Sequence, residues 1–163
     1  MLSKRPRITG FPYLGYHRYS LIICTKDRQH LFAQAETVTA VLTTVRQCAD
    51  ACGFAVLAYC FMTDHVHLVV SAIADSSDLT TFMSRWKQRA GYDYRRRTGD
   101  YLWQPSYFDH VLRGDEQTRR AVRYVLENPV RKGLVQAFEE YPFGGSDVFS
   151  VEQLRDFWHE GQD

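Results

Sequence analysis

Apolar residues along this chain change their spacing several times, and each change marks a predicted element. Residues 16–25 (YHRYSLIICT) end in the apolar run LIIC and read as a first strand. After a connection over 26–34, Val38, Val41, Leu42, Val45, Cys48 and Ala49 follow the helical period between Glu36 and Cys52, and Gly53 closes that helix. Residues 54–62 (FAVLAYCFM) are apolar on both faces, the pattern of a central strand. Thr63 and Asp64 turn the chain into a third strand at 65–71 (HVHLVVS), so the two strands form a hairpin. A second helix is predicted over 78–97, with Asp78 as its N-cap and Gly99 just past its end. Its row Phe82, Trp86, Ala90 and Tyr94, spaced by four, faces the core. A short fourth strand follows at 107–112. A third helix runs from Asp115 to about Asn128, where Pro129 and Gly133 end it. A short helix is expected near 151–159. The order β-α-β-β-α-β plus a further helix predicts an α+β protein, a ferredoxin-like antiparallel sheet with helices on one face.

The length, 163 residues, fits one domain. Pro6, Gly10, Pro12 and Gly15 make 1–15 an irregular arm, made basic by Lys4, Arg5 and Arg7. The domain proper spans 16–143, and 144–163 forms a tail. No apolar run is long enough to span a bilayer, and the basic N-terminus lacks a signal peptide's apolar core. The expectation is a cytoplasmic protein with no membrane contact. Cys24, Cys48, Cys52 and Cys60 form no C-x-x-C pair and read as reduced thiols in apolar elements.

Charge is balanced overall at +1 but uneven locally. Between Arg85 and Lys132 there are twelve Lys/Arg and six Asp/Glu, while the remainder holds eight and thirteen. That skew allows either solvated helix faces or a basic surface for a polyanion. On the second helix Arg85, Arg89 and Arg96 fall together away from the apolar row.

Two local patterns carry candidate chemistry. In His65-Val66-His67 the imidazoles at i and i+2 of a strand share one face, a start for a divalent metal site; the plain alternative is two edge histidines. In DEQTRRAVRYVLENP, Thr118, Ala121, Val122, Val125 and Leu126 share a face at about 100° per residue. Arg120, Tyr124 and Asn128, spaced by four, line another stripe. That stripe is either a surface tyrosine beside a capping Asn, or a presented phenol, a cation and an amide oxygen able to ligate a metal.

Together, MTDHVHLVV (62–70), LWQPSYFDHVLR (102–113) and AVRYVLENPVRKGLV (121–135) resemble the single-tyrosine transposases of the IS200/IS605 type, and within them the REP-associated tyrosine transposases. TKDRQHLF (25–32) resembles the family's segment after its first strand, so the resemblance runs from about Tyr16 to Phe143. It implies a His-hydrophobic-His endonuclease, with His65 and His67 as metal ligands and Tyr124 as nucleophile. Asn128 would be the further ligand, although many relatives carry Gln there. The cofactor implied is Mg²⁺ or Mn²⁺; by softness alone imidazole favours Mn²⁺ or Zn²⁺. The implied substrate is single-stranded DNA around a hairpin, such as a repeated extragenic palindrome, cut and rejoined through a 5′-phosphotyrosine. The family includes shared-site homodimers and a monomeric branch. The sequence names no general base. Arg85, Arg89, Arg120 and Arg123 are candidates for phosphate contacts, and Trp103 and Tyr107 for base stacking. One rival is a non-catalytic ferredoxin-like nucleic-acid-binding protein derived from a transposase. Another, a two-histidine phosphoesterase, needs a second His-x-Ser/Thr motif, which neither His17 nor His110 supplies.

Overall fold

A computed structural model describes residues 8–159 of the chain. Lys4, Arg5 and Arg7 of the predicted arm lie outside the described residues, as do 160–163 of the tail. The strands are β1 (Arg18–Cys24), β2 (Phe54–Phe61), β3 (His65–Ala72), β4 (Phe108–Leu112) and the two-residue β5 (Gly144–Gly145). The helices are α1 (Ala35–Cys52), α2 (Leu79–Thr98), α3 (Gly114–Leu126), α4 (Asn128–Arg131) and α5 (Val151–His159). The strands form one antiparallel sheet in the order β4-β1-β3-β2-β5. The first four strands and the first two helices thus give the expected ferredoxin-like arrangement.

Period-two alternation divides β3 between two cores. Val66, Leu68 and Val70 join the larger cluster with Val38, Val41 and Val45 of α1 and Phe82, Met83 and Trp86 of α2. Val69 turns the other way and packs with Val122, Val125 and Leu126 of α3 and Leu154 of α5. The expected one-face packing holds for α1 and α2, and the additional helix α3, with α5, covers the opposite face. The strand order corrects the central placement of β2. It lies near the sheet's rim, and only Tyr59 and Cys60 pair outward, with β5. Its two apolar faces reflect helices on both sides, not strands on both edges.

The caps behave as the residues require. The Asp78 side chain accepts from the Thr81 N–H at 3.0 Å, which starts α2. Gly53 ends α1 in the left-handed conformation, at φ 75°. The third helix ends two residues before the expected Asn128, and a separate turn follows it. Pro129 has no N–H to continue the ladder, so α3 stops at Leu126 and α4 begins at Asn128. Residues 8–15 are irregular but attached: Tyr13 is buried, its carbonyl accepts from Leu79, and Gly15 donates to Ser77. The tail likewise belongs to the fold, through β5 and α5. All four cysteines are free thiols.

Candidate active site

His65 and His67 point from β3 toward the α3 side of the sheet, because their neighbours Val66 and Leu68 fill the α1–α2 core. Their rings meet edge to face with centroids 4.8 Å apart, and the two Nε2 atoms are 3.1 Å apart. Behind them, Asp64 Oδ1 lies 2.6 Å from His65 Nδ1. A carboxylate only accepts, so Nδ1 carries the proton and the Nε2 lone pair of neutral His65 faces His67. Arg28 Nε donates to the other oxygen, Asp64 Oδ2, at 2.9 Å. Burial raises Asp64, but its bonds and charge pairs with His65 and Arg28 more than reverse this and hold it below the usual carboxylate range. Burial depresses His65 against the upward pull of Asp64. His67, 6% exposed and with no carboxylate beside it, is pushed down to about 3 by burial, with smaller contributions from His65 and Arg131.

Tyr124 comes to the same place from α3. Its ring stands edge-on to His67 with centroids 6.3 Å apart, while 57% of the residue stays exposed. Asn128, four residues further along, is buried at the start of α4. Arg131 lays its guanidinium 4.0 Å from the Tyr124 ring centroid. Its Nη2 also donates to the Tyr124 carbonyl at 2.6 Å. The two imidazole Nε2 atoms are thereby available to a divalent ion. The 3.1 Å between the Nε2 atoms is the separation of two cis ligands each about 2.2 Å from an octahedral centre, so the pair fits Mg²⁺ or Mn²⁺. Among the described residues, no group of three His, Cys, Asp or Glu could hold a metal by itself.

Other candidates fall elsewhere. Arg85 and Arg89 line a cavity between α1 and α2 with Gln47, Cys48 and Tyr92, on the sheet face opposite the histidines. Arg120 is exposed on α3 and paired with Glu116. Arg123 donates from Nη1 to the Phe157 carbonyl at 3.0 Å and so ties α5 to α3. Trp103 is partly buried, its ring packed edge-on against Phe32 and Trp86 at the margin of the core. Tyr107 is half-buried against the same core, with Lys87 Nζ 6.0 Å from its ring centroid. Sequence reasoning missed Asp64, Arg28 and Arg131. Asp64 is adjacent to the first histidine in the hairpin turn, and Arg131 lies seven residues after Tyr124, two helical turns along; both spacings were visible signals.

The sequence matches the model of IS200-like transposases over residues 14–128. It is 19% identical over 140 residues to a candidate REP-associated tyrosine transposase of Haemophilus influenzae, covering 79% of this chain and 78% of that one. It is 27% identical over 90 residues to the REP-associated tyrosine transposase of Escherichia coli K12, covering 55% of this chain and 53% of that one. Among solved structures, a REP-associated tyrosine transposase bound to a REP hairpin aligns with TM-score 0.68 at 18% identity, over 86% of this chain and 82% of that one. The fold expected from the sequence is thus shared, and so is the resemblance to REP-associated members. With the family model spanning more than half of its length, the chain belongs to the IS200-like transposase family.

Proposed function

We propose that the protein is a REP-associated, metal-dependent transposase that cuts and rejoins single-stranded DNA at a hairpin, with Tyr124 as nucleophile. The observation that carries this reading is the arrival of an exposed phenol beside His67, 57 positions away in sequence, on the sheet face the histidines share. In the step proposed, the phenol gives up its proton and its oxygen bonds to the scissile phosphorus. The phosphorus–O3′ bond breaks, and the 3′-oxygen takes up a proton, leaving a 5′-phosphotyrosine. The covalent bond conserves the phosphodiester's energy, so a second 3′-OH can reverse the step. His65 and His67, with Asn128, would hold Mg²⁺ or Mn²⁺, which when bound supplies positive charge to the phosphate. Arg131, stacked on the attacking ring, keeps the phenol pointed at the histidine side and adds charge near the phosphate.

A DNA flank would run over the cations and the ring at the same end of the sheet. Thr25 N–H donates to the Asp64 carbonyl, and the next residue, Lys26, places Nζ 5.1 Å from the Tyr101 ring centroid. Arg95 lies 4.4 Å from that centroid. Cations around an exposed ring suit a flexible, unpaired strand. Arg85 and Arg89, across the sheet, would touch only DNA that wraps round the molecule.

The test is a denaturing gel with a labelled single-stranded hairpin taken from DNA beside the protein's own gene, with Mn²⁺. Wild type and Tyr107→Phe should both form a covalent protein–DNA adduct, and Tyr124→Phe should form none. Adduct formation by Tyr124→Phe at the wild-type rate would refute the assignment.

A further inference from the structure

The loop after β1 carries an unusual backbone. Asp27 and Arg28, neither of them glycine, both take left-handed conformations, at φ 54° and 56°. Side chains resist that region, and such a conformation persists only where surrounding contacts over-determine it. Here the contacts all lead to one place. The Thr25 N–H donates to the Asp64 carbonyl at 3.0 Å, and Phe32 donates to the Thr63 carbonyl at 2.9 Å. Thr25 Oγ1 lies within bonding distance of both the Gln29 and the Asp64 carbonyls. The loop is fastened to the turn that precedes His65, and its left-handed pair throws the Arg28 side chain back over that turn. Arg28 Nε then meets Asp64 Oδ2 at 2.9 Å, and Nη1 meets Cys24 Sγ at 2.9 Å. Asp64 is left with one oxygen for Arg28 and the other for His65 Nδ1.

We propose that Arg28 and Asp64 are positioning residues for His65: Arg28 fixes the Asp64 carboxylate, and the carboxylate fixes the imidazole in the tautomer protonated at Nδ1, leaving Nε2 as the ligand atom. Asp64 meets the ring at Nδ1 with Arg28 behind it, while Nε2 meets His67. A free imidazole prefers its proton on Nε2, the atom that must be bare here. The tautomer therefore needs an acceptor held at Nδ1, and a carboxylate that could rotate would hold it poorly. Outer partners of this kind orient the ring and raise its basicity as a ligand. An ordinary surface ion pair accounts for neither the left-handed turn nor the convergence of both carboxylate oxygens. The proposal rests on the metal-site reading given above, but its first consequence concerns the metal-free protein.

Two measurements test it. The first is the ¹⁵N chemical shifts of the His65 ring in metal-free protein at pH 7.5. Wild type should show Nδ1 protonated; Asp64→Ala should move the proton largely to Nε2, and Asp64→Asn, which keeps an acceptor oxygen, should retain much of the wild-type pattern. Arg28→Ala, at a half-exposed position, should give an intermediate mixture. The second is Mn²⁺ binding by titration calorimetry. Asp64→Ala should bind about 10–100-fold more weakly than wild type, and Arg28→Ala more weakly by a smaller factor. An Asp64→Ala protein with the wild-type tautomer would overturn the proposal, as would unchanged shifts and affinity in Arg28→Ala. Wild-type protein that binds no Mn²⁺ would instead sink the metal-site reading, and the ring shifts would still decide the role of Asp64 and Arg28.

Discussion

Replacing His67 by Gln should remove about 2 kcal/mol of the acid sensitivity of the fold. The folded imidazole is held near 3, and the unfolded one sits at its ordinary value of 6.5. The cause is burial: the ring is 6% exposed, and the His65 imidazole and the Arg131 cation further oppose a positive charge. As pH falls through 6.5 the unfolded chain takes up a proton that the folded protein refuses. The unfolded state then binds more protons, so stability falls with falling pH. Between pH 7.5 and 5.0 the linkage amounts to about 2 kcal/mol, and it changes little for any folded value of about 4 or below. The loss would stop only below the folded value. His65, also depressed, adds in the same direction but is present in both proteins. Asp64 titrates below this window in both states. The assay is urea unfolding of wild type and His67→Gln at pH 7.5 and 5.0, with EDTA present so that metal does not mask the effect. The quantity of interest is the difference between the two pH differences, which cancels the direct cost of the substitution. A value under about 0.5 kcal/mol would show that His67 gains its proton while folded, and that the burial argument is wrong.

Two further outcomes follow from placement. Arg85→Ala with Arg89→Ala should lower the salt slope of single-strand binding by about 0.7 per lost phosphate contact, yet leave the single-turnover adduct rate at saturating DNA unchanged, because the sheet separates both side chains from Tyr124; a slower rate would place them at the chemistry. Gly53→Ala should cost about 2 kcal/mol in urea unfolding, since φ is 75° and a Cβ would come 2.7 Å from Ser77 Oγ, which bonds the Gly53 carbonyl; a cost under about 0.5 kcal/mol would refute the argument.

Most of the sheet and its two large helices were legible because they obey simple periods. Val66, Leu68 and Val70 against His65 and His67 is a period of two. Phe82, Trp86, Ala90 and Tyr94 is a step of four. The histidine face and the Tyr124–Asn128 stripe could be read for the same reason. What periodicity does not contain is which layer an amphipathic element joins. The apolar stripe of α3 fits either sheet face equally well, and nothing local distinguishes them. The two-sided apolar pattern of β2 has the same ambiguity, since a neighbouring strand and a covering helix make different demands on the backbone but the same demand on side chains. Residue type was also a weak guide to exposure. Trp103 offered a ring for a base and Arg123 a charge for a phosphate, and residue type alone did not show the packing against Trp86 or the bond to Phe157.

Arg123 gains a different importance from that bond. The proposed nucleophile needs a helix that is held firmly while the phenol's tip stays free, and α3 is held at several points. Arg123, immediately before Tyr124, bonds the Phe157 carbonyl of α5. Glu127, at the break between α3 and α4, accepts from Trp158 Nε1, and the Trp158 ring stacks on Phe138 with centroids 4.8 Å apart. Arg131 bonds the Tyr124 carbonyl and pairs with Glu127 at 3.7 Å. Three successive attachments therefore bracket the phenol along the helix without touching its hydroxyl. The Pro129 break matters to this arrangement. It ends the ladder of α3 and starts a new turn at Asn128, so that Glu127 can serve α5 while Asn128 is buried. The segment predicted as a tail is thus the support of the element that carries the proposed chemistry.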